Sequence, residues 1–139
     1  MSGKITLTMI KPSAVAAGSA GPILKMFHDG GFRIIALKYI KMTTDQAGLF
    51  YEVHKGKGFY DSLVAFMSSG PIIAAILEKE NAVEEFRKFI GATDPAKAEP
   101  GTVRKLFGTS LTENAVHGSD SDENAVLEAA FFFSWLERF

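Results

Sequence analysis

A chain of 139 residues, 47% hydrophobic and with twelve phenylalanines, carries enough apolar material for one domain with its own core. It has no cysteine, which excludes disulfides, thiolate zinc sites and a cysteine nucleophile, and it suits a reducing cytoplasm. Fifteen basic against sixteen acidic residues leave a net charge of -1, which argues against coating nucleic acid by bulk electrostatics, so any polyanion must be met locally.

Residues 5–10 are an apolar β-type run that ends at Lys11-Pro12, because proline cannot donate to a ladder and forces its predecessor extended. The stretch 18–22 is expected to start a helix with Pro22 near its first position and Gly30-Gly31 closing it. Residues 32–41 return as a strand. Thr43-Thr44-Asp45-Gln46 has the form of a capping box and opens a helix to about Tyr51. After a glycine-rich stretch over 54–58, a second short helix runs from Phe59 toward Ser68. Residues 71–77 are almost wholly apolar and predict a central strand. Asn81 with Glu84 predicts another capping box, for a helix reaching Ile90. Residues 91–101, with Pro95 and Pro100, predict a structured loop. Val116 and its neighbours supply a last short strand, and Ser121-Asp122-Glu123 reads as a capped, acidic first helical turn. The apolar stretch 129–136, bordered by Glu128 and Glu137, predicts a buried helix. Neither it nor the run at 5–10 is long enough for a membrane span or signal, so a soluble protein is expected. There is no repeat, low-complexity segment or long like-charge block. The order β-α-β-(αα)-β-α-loop-β-α contains the split βαβ arrangement of an α+β, ferredoxin-like domain, although pattern alone would also allow an α/β domain.

No P-loop string occurs, so phosphates could be met only by side-chain cations. Arg87 lies four residues after Val83 and three before Ile90, on or beside the apolar stripe of its helix; it could serve an anion or cover the core edge with its stem. Lys11 closes a central strand, where ligands gather in open sheets, though a surface lysine would also stand there. In Asn114-Ala115-Val116-His117-Gly118-Ser119-Asp120 one histidine sits between an apolar run and small hydrogen-bonding residues, with Gly118 expected to remove steric cover beside the imidazole. Glu128 shares a helix side with Phe131, Phe132 and Trp135, so its carboxylate needs a partner. His28 and His54 have no metal-type spacing and read as surface residues.

That seven-residue string resembles the active-site signature of nucleoside diphosphate kinases. Met9-Ile10-Lys11-Pro12, Ser69-Gly70-Pro71, Thr93-Asp94-Pro95 and Pro100-Gly101-Thr102-Val103-Arg104 extend the resemblance over roughly residues 4–133. It implies a four-stranded antiparallel sheet covered by helices, in a single domain over 1–139, and ping-pong transfer of a γ-phosphoryl group from a nucleoside triphosphate to a nucleoside diphosphate through His117. It further implies that Glu128, eleven residues on, binds one imidazole nitrogen and leaves Nδ1 free. Lys11, Arg87 and Arg104 would meet the phosphates, with the Thr93 hydroxyl. Phe59 would stack on the base opposite Leu111, and Asn114 would lie near the sugar hydroxyls. Tyr51 would bond the transferring group, and Ser119 belongs to the catalytic set. For Phe59 and Tyr51 the residues alone leave a plain core aromatic as the alternative.

The same resemblance implies Mg²⁺ carried mainly on the nucleotide phosphates, with no protein ligand. It implies a homo-oligomer built from dimers, with the hexamer favoured over the tetramer, although the sequence ends at Phe139 without the tail of many hexameric members. No membrane or nucleic-acid partner is expected. Three positions depart from the family pattern: Ser13-Ala14 after Lys11-Pro12, Lys57-Gly58 without a proline before Phe59, and Leu106 in place of an acid. A nucleotide-sensing or protein-interaction module on the same fold is the competing function, disfavoured by the presence of His117 with Glu128.

Overall fold

The computed structural model describes residues 3–139, so the reading of the first residues as no signal segment lies, for Met1 and Ser2, outside the described residues. Four strands, β1 (Ile5–Ile10), β2 (Arg33–Ile40), β3 (Ile72–Glu78) and β4 (Val116–Gly118), form one antiparallel sheet in the order β2-β3-β1-β4. Among the described residues six α-helices connect them, α1 (Pro12–Ala16), α2 (Ala20–Asp29), α3 (Thr44–Phe50), α4 (Tyr60–Met67), α5 (Ala82–Ile90) and α6 (Val103–Phe107), and a seventh, α7 (Asp122–Phe132), follows β4. This is the α+β, ferredoxin-like arrangement: β1 and β3 lie side by side at the centre, each followed by a helix that returns the chain to an edge.

Strand alternation sorts the core into two layers. Leu7 and Met9 of β1, with Ile72, Ala74 and Ile76 of β3, pack under Ala47, Tyr51, Val64, Met67 and Phe132 from the α3, α4 and α7 side. Ile10, Ile73, Ala75 and Leu77 face the other way, against Ile23 and Phe27 of α2 and Phe86 and Ile90 of α5. The β3 strand is buried over Ile72–Leu77 because both its faces are covered, which is why its sequence is continuously apolar instead of alternating.

The capping box at Thr43 forms, with Thr43 Oγ1 accepting from the Gln46 N–H at 3.1 Å and Gln46 Oε1 accepting from the Thr43 N–H at 2.9 Å. The one expected at Asn81 does not. Asn81 takes the left-handed conformation (φ 56°), which short polar side chains tolerate, and its amide donates to Glu84 Oε2 at 3.0 Å instead of accepting from the helix. Two short helices escape the sequence reading. Pro12 opens α1 from its first position, where its missing N–H costs nothing, and α6 is capped by Thr102 Oγ1, which accepts from the Lys105 N–H. Pro22 is the third residue of α2, not the first.

The expected buried helix over 129–136 is also corrected. The α7 helix ends at Phe132, Phe133 is extended, and Ser134 opens a separate turn at Trp135–Glu137 by a capping box of its own. Three consecutive phenylalanines cannot all face one side of a helix: Phe132 and Phe133 are buried, whereas Phe131 is partly open and Trp135 is 82% exposed. Glu128 therefore shares no helical side with Trp135.

Candidate active site

The sheet register delivers the site. Met9 pairs with His117, so the imidazole stands on the same face as Leu7 and Met9, under α3 and α7. Lys11, two residues beyond Met9, continues that face at the carboxyl end of β1, and its backbone N–H reaches Ala115 O at 2.8 Å. Ala115 has φ 74°, and the Val116 N–H bonds Asn114 O two residues back at 2.9 Å. A positive φ under an i to i+2 bond is the rare, strained form of the γ-turn, held here because Ala115 is buried on all sides. The strain turns the chain sharply between Asn114 and His117.

His117 Nε2 lies 2.9 Å from Glu128 Oε1. A carboxylate can only accept, so Nε2 carries the proton and Nδ1 keeps the free lone pair. Ser119 donates to the same Glu128 oxygen at 2.7 Å and accepts from the Leu7 N–H at 3.1 Å, which ties the pair to the central strand. Gly118 does something other than expected. A Cβ there would sit 3.1 Å from both Phe86 Cδ2 and Ile90 Cδ1, on the opposite face of the sheet from the imidazole, so the residue is small to admit α5. Asp120 is exposed and accepts from Asn124 Nδ2 at 2.6 Å.

A cavity of about 450 Å³ is lined by Lys11, Tyr51, Phe59, Thr93, Arg104, Leu111, Asn114 and His117, with Leu63 and Thr112. Phe59, 48% exposed, and Leu111, 62% exposed, present apolar surface to it. Lys11 Nζ donates to Asn114 Oδ1 at 2.7 Å and toward Thr112 O at 3.4 Å, and Asn114 Nδ2 donates to Thr93 O at 3.0 Å. Arg104 is only 8% exposed; its two terminal nitrogens donate to Gly91 O at 3.1 Å and Val116 O at 3.0 Å, which pins the 91–101 loop to β4, while Nε has no partner. Gly91 is required at that pin, because it has φ 93° and a Cβ would fall 2.6 Å from Thr102 Oγ1.

Arg87 is not on the buried side of its helix; it is exposed, and it lines a second, adjoining cleft of about 710 Å³ that meets the first at Thr93 and Arg104. Its position three residues before Ile90 puts it at the margin of the stripe, and the stripe is filled by Val83, Phe86 and Ile90. Ser119 and Glu128 stand behind His117, outside the lining of the 450 Å³ cavity.

The cations crowd one another. Burial, and then the charge of Arg104, hold the Lys11 ammonium down to about 7. Burial, and then Arg87, bring Arg104 down to about 10. Such an arrangement favours an anion, which relieves both effects. Burial, reinforced by the Glu128 charge, pushes the Tyr51 phenol up, so it is a neutral hydroxyl at physiological pH, and its oxygen is buried without a protein partner.

Two residues of the site were not legible as such. His54 is half-buried, its ring 6.4 Å from Tyr51 in a stacked arrangement and 5.3 Å from Phe59, so it supports the wall of the cavity instead of lying on the open surface. Phe50 packs edge-to-face against His117 at 5.4 Å. Phe50 could not have been found from spacing, since its ring joins the end of α3 to β4, and the His54 contacts, although local in the chain, depend on how the turn after α3 folds.

Among the described residues no helix is long and apolar enough to cross a membrane, and no group of three or more His, Asp or Glu is placed to hold a metal ion. The open antiparallel sheet, with a histidine and a set of crowded cations around one cavity, belongs to the class of ferredoxin-like enzymes that handle anionic groups. A family model for nucleoside diphosphate kinase matches residues 4–137. The nucleoside diphosphate kinase of Flavobacterium psychrophilum is 58% identical over 134 residues, covering 96% of each chain, and that of Persephonella marina 53% identical over 137 residues, covering 99% of this chain and 98% of its own. Among solved structures, Aquifex aeolicus nucleoside diphosphate kinase superposes with a TM-score of 0.95 at 45% identity, covering 98% of this chain and 99% of that one. A halophilic nucleoside diphosphate kinase from Halobacterium salinarum, solved in complex with CDP, superposes with a TM-score of 0.93 at 34% identity, covering 98% and 91%. The chain belongs to the nucleoside diphosphate kinase family, whose members move a γ-phosphoryl group from a nucleoside triphosphate to a nucleoside diphosphate by a ping-pong route through a phosphohistidine.

Proposed function

We propose that His117 is the phosphoryl carrier of this enzyme. The observation that carries the reading is the His117–Glu128 bond, which commits Nε2 and leaves Nδ1 as the nucleophile, in a histidine that lines the same cavity as Lys11 and Arg104. The Nδ1 lone pair attacks the γ-phosphorus in line; an N–P bond forms as the bond to the leaving diphosphate breaks, and an acceptor diphosphate then reverses the step. One site serves donor and acceptor, because they differ only by the group in transit. Lys11, Arg87, Arg104 and the Thr93 hydroxyl bind the phosphates and stabilise charge on the moving group. The Tyr51 hydroxyl donates to that group, Ser119 steadies Glu128, and Asn114 reaches the sugar hydroxyls. The base stacks on Phe59 against Leu111; a stacking contact accepts purines and pyrimidines alike, and the CDP complex of the Halobacterium relative is in keeping with this.

The 450 Å³ cavity has no carboxylate in its lining, so Mg²⁺ would be held mainly through the nucleotide's own phosphates and would supply charge neutralisation there. The chain works as a single cytoplasmic domain assembled into a homo-oligomer of dimers, hexameric in preference to tetrameric. Exposed Leu37 and Tyr39 on the edge strand β2, with Trp135, Leu136 and Phe139, support self-association.

The test is incubation with γ-labelled ATP and Mg²⁺. Acid-labile, base-stable label is expected on His117 and should move to added GDP. His117→Ala should lose transfer by roughly 10³-fold or more. Substantial transfer by the folded variant would sink the mechanism.

A further inference from the structure

Phe50 closes α3, and its ring centroid lies 5.4 Å from that of His117 at an interplanar angle of 78°. The same ring meets Tyr51 at 4.9 Å, Phe131 at 5.3 Å and Phe132 at 5.4 Å. Phe131 and Phe132 stand three and four residues after Glu128 on α7. Phe50 is thus wedged between the imidazole and the helix that bears the imidazole's hydrogen-bond partner.

Two points hold the His117 ring: its Cβ, fixed to β4, and Nε2, bound to Glu128. Two points define an axis. Nδ1 lies off that axis, so a roll of the ring swings Nδ1 sideways with little change in the Nε2 to Oε1 distance, and the angular tolerance of a hydrogen bond does little to oppose it. A third contact must set the roll. Among the ring contacts, Phe50 is the aromatic group facing the imidazole, and the T-shaped arrangement is a preferred one with a defined orientation. In-line transfer is sensitive to misplacement of the attacking atom by about 1 Å, so the roll matters to the rate.

We propose that Phe50 is a positioning residue for the phosphoryl transfer: its ring fixes the roll of the His117 imidazole about the Cβ to Nε2 axis and so aims Nδ1. This rests on the reading of His117 as the carrier. An aliphatic side chain would fill much of the space without supplying the flat edge contact.

The experiment is single-turnover phosphorylation of the full-length enzyme by saturating γ-labelled ATP and Mg²⁺. Phe50→Leu should slow formation of phosphohistidine about tenfold while ATP affinity stays within about twofold, and Phe50→Tyr, which keeps the ring, should stay within about threefold of the parent rate. Nuclear magnetic resonance of the His117 ring should show its carbon-bound protons shifting in Phe50→Leu as the ring current is lost, with the nitrogen pattern of the Nε2-protonated tautomer unchanged. If Phe50→Leu does not fold, Phe50→Met decides by the same readouts. A folded Phe50→Leu at the parent rate overturns the inference, as does equal slowing of the leucine and tyrosine variants with weakened ATP binding. Label on a residue other than His117 in the unaltered enzyme overturns the carrier assignment as well; label on His117 with an unslowed Phe50→Leu overturns this inference alone.

Discussion

Ser119 and Glu128 are joined by a 2.7 Å hydrogen bond, and the same hydroxyl accepts the Leu7 N–H, so the carboxylate bonded to the His117 imidazole is anchored to β1, a central strand of the sheet. Ser119→Ala removes both bonds from a fully buried position. It should cost about 1–3 kcal/mol of stability, because the Leu7 N–H is left without a partner, and should slow His117 phosphorylation by up to about tenfold. Urea unfolding and rapid-quench labelling measure the two; unchanged stability and rate together would show the bond to be idle. Glu128→Gln should slow transfer with little change in nucleotide affinity, and Glu128→Ala more so.

Lys11 predicts a pH signature. Its folded value of about 7 lies below the roughly 10.4 of a solvated lysine, so between those values the unfolded chain binds more protons. Lys11 therefore destabilises the free enzyme fully below about pH 7, and stability rises as pH climbs through that window. Bound phosphates favour the ammonium form, so nucleotide affinity is strongest below about pH 7 and weakens above it. At pH 8, calorimetry of ATP–Mg²⁺ binding in buffers of different ionisation heat should detect proton uptake that Lys11→Met lacks. Equal uptake by both proteins would remove Lys11 from the phosphates.

Arg87 and Arg104 should separate binding from stability. Arg87 is exposed, so Arg87→Ala should leave stability within about 0.5 kcal/mol yet weaken triphosphate binding by about tenfold. Arg104→Ala strands Gly91 O and Val116 O and should destabilise by about 1–3 kcal/mol besides. Lys57→Ala, at the rim 6.0 Å over the Phe59 ring, should do little. Equal, negligible effects on binding from all three would place the phosphates elsewhere.

Assembly is checked by light scattering after size exclusion at micromolar concentration. A multiple of the dimer mass is expected, and Leu37→Asp combined with Trp135→Asp should lower it by charging two exposed apolar positions. A monomer mass for the unaltered chain would overturn the assembly claim; a tetramer mass would overturn its hexameric form alone.

The sequence by itself determined the strands, because each is a short, mostly apolar run with proline or glycine close to one end, and its local pattern singled out His117 and Glu128, whereas the expected roles of Lys11 and Asn114 came only with the family resemblance. It also carried the caps at Thr43 and Ser121, where side chain and helix are three residues apart. What only the tertiary structure decided are relations between distant segments. The register of β1 against β4 puts His117 beside Met9 and Gly118 beneath Phe86 and Ile90, which reverses the role expected for that glycine. Arg104, which the resemblance places on the phosphates, spends two nitrogens on carbonyls that the loop and strand bring to it. The end of α7 went astray because hydrophobicity alone cannot distinguish buried from exposed aromatics; packing space under the sheet admits Phe132 and Phe133 and leaves Trp135 outside. Local pattern records what a residue prefers, and burial is settled by which other segments arrive, so Phe50, whose ring meets residues of β4 and α7, became visible only once the chain was folded.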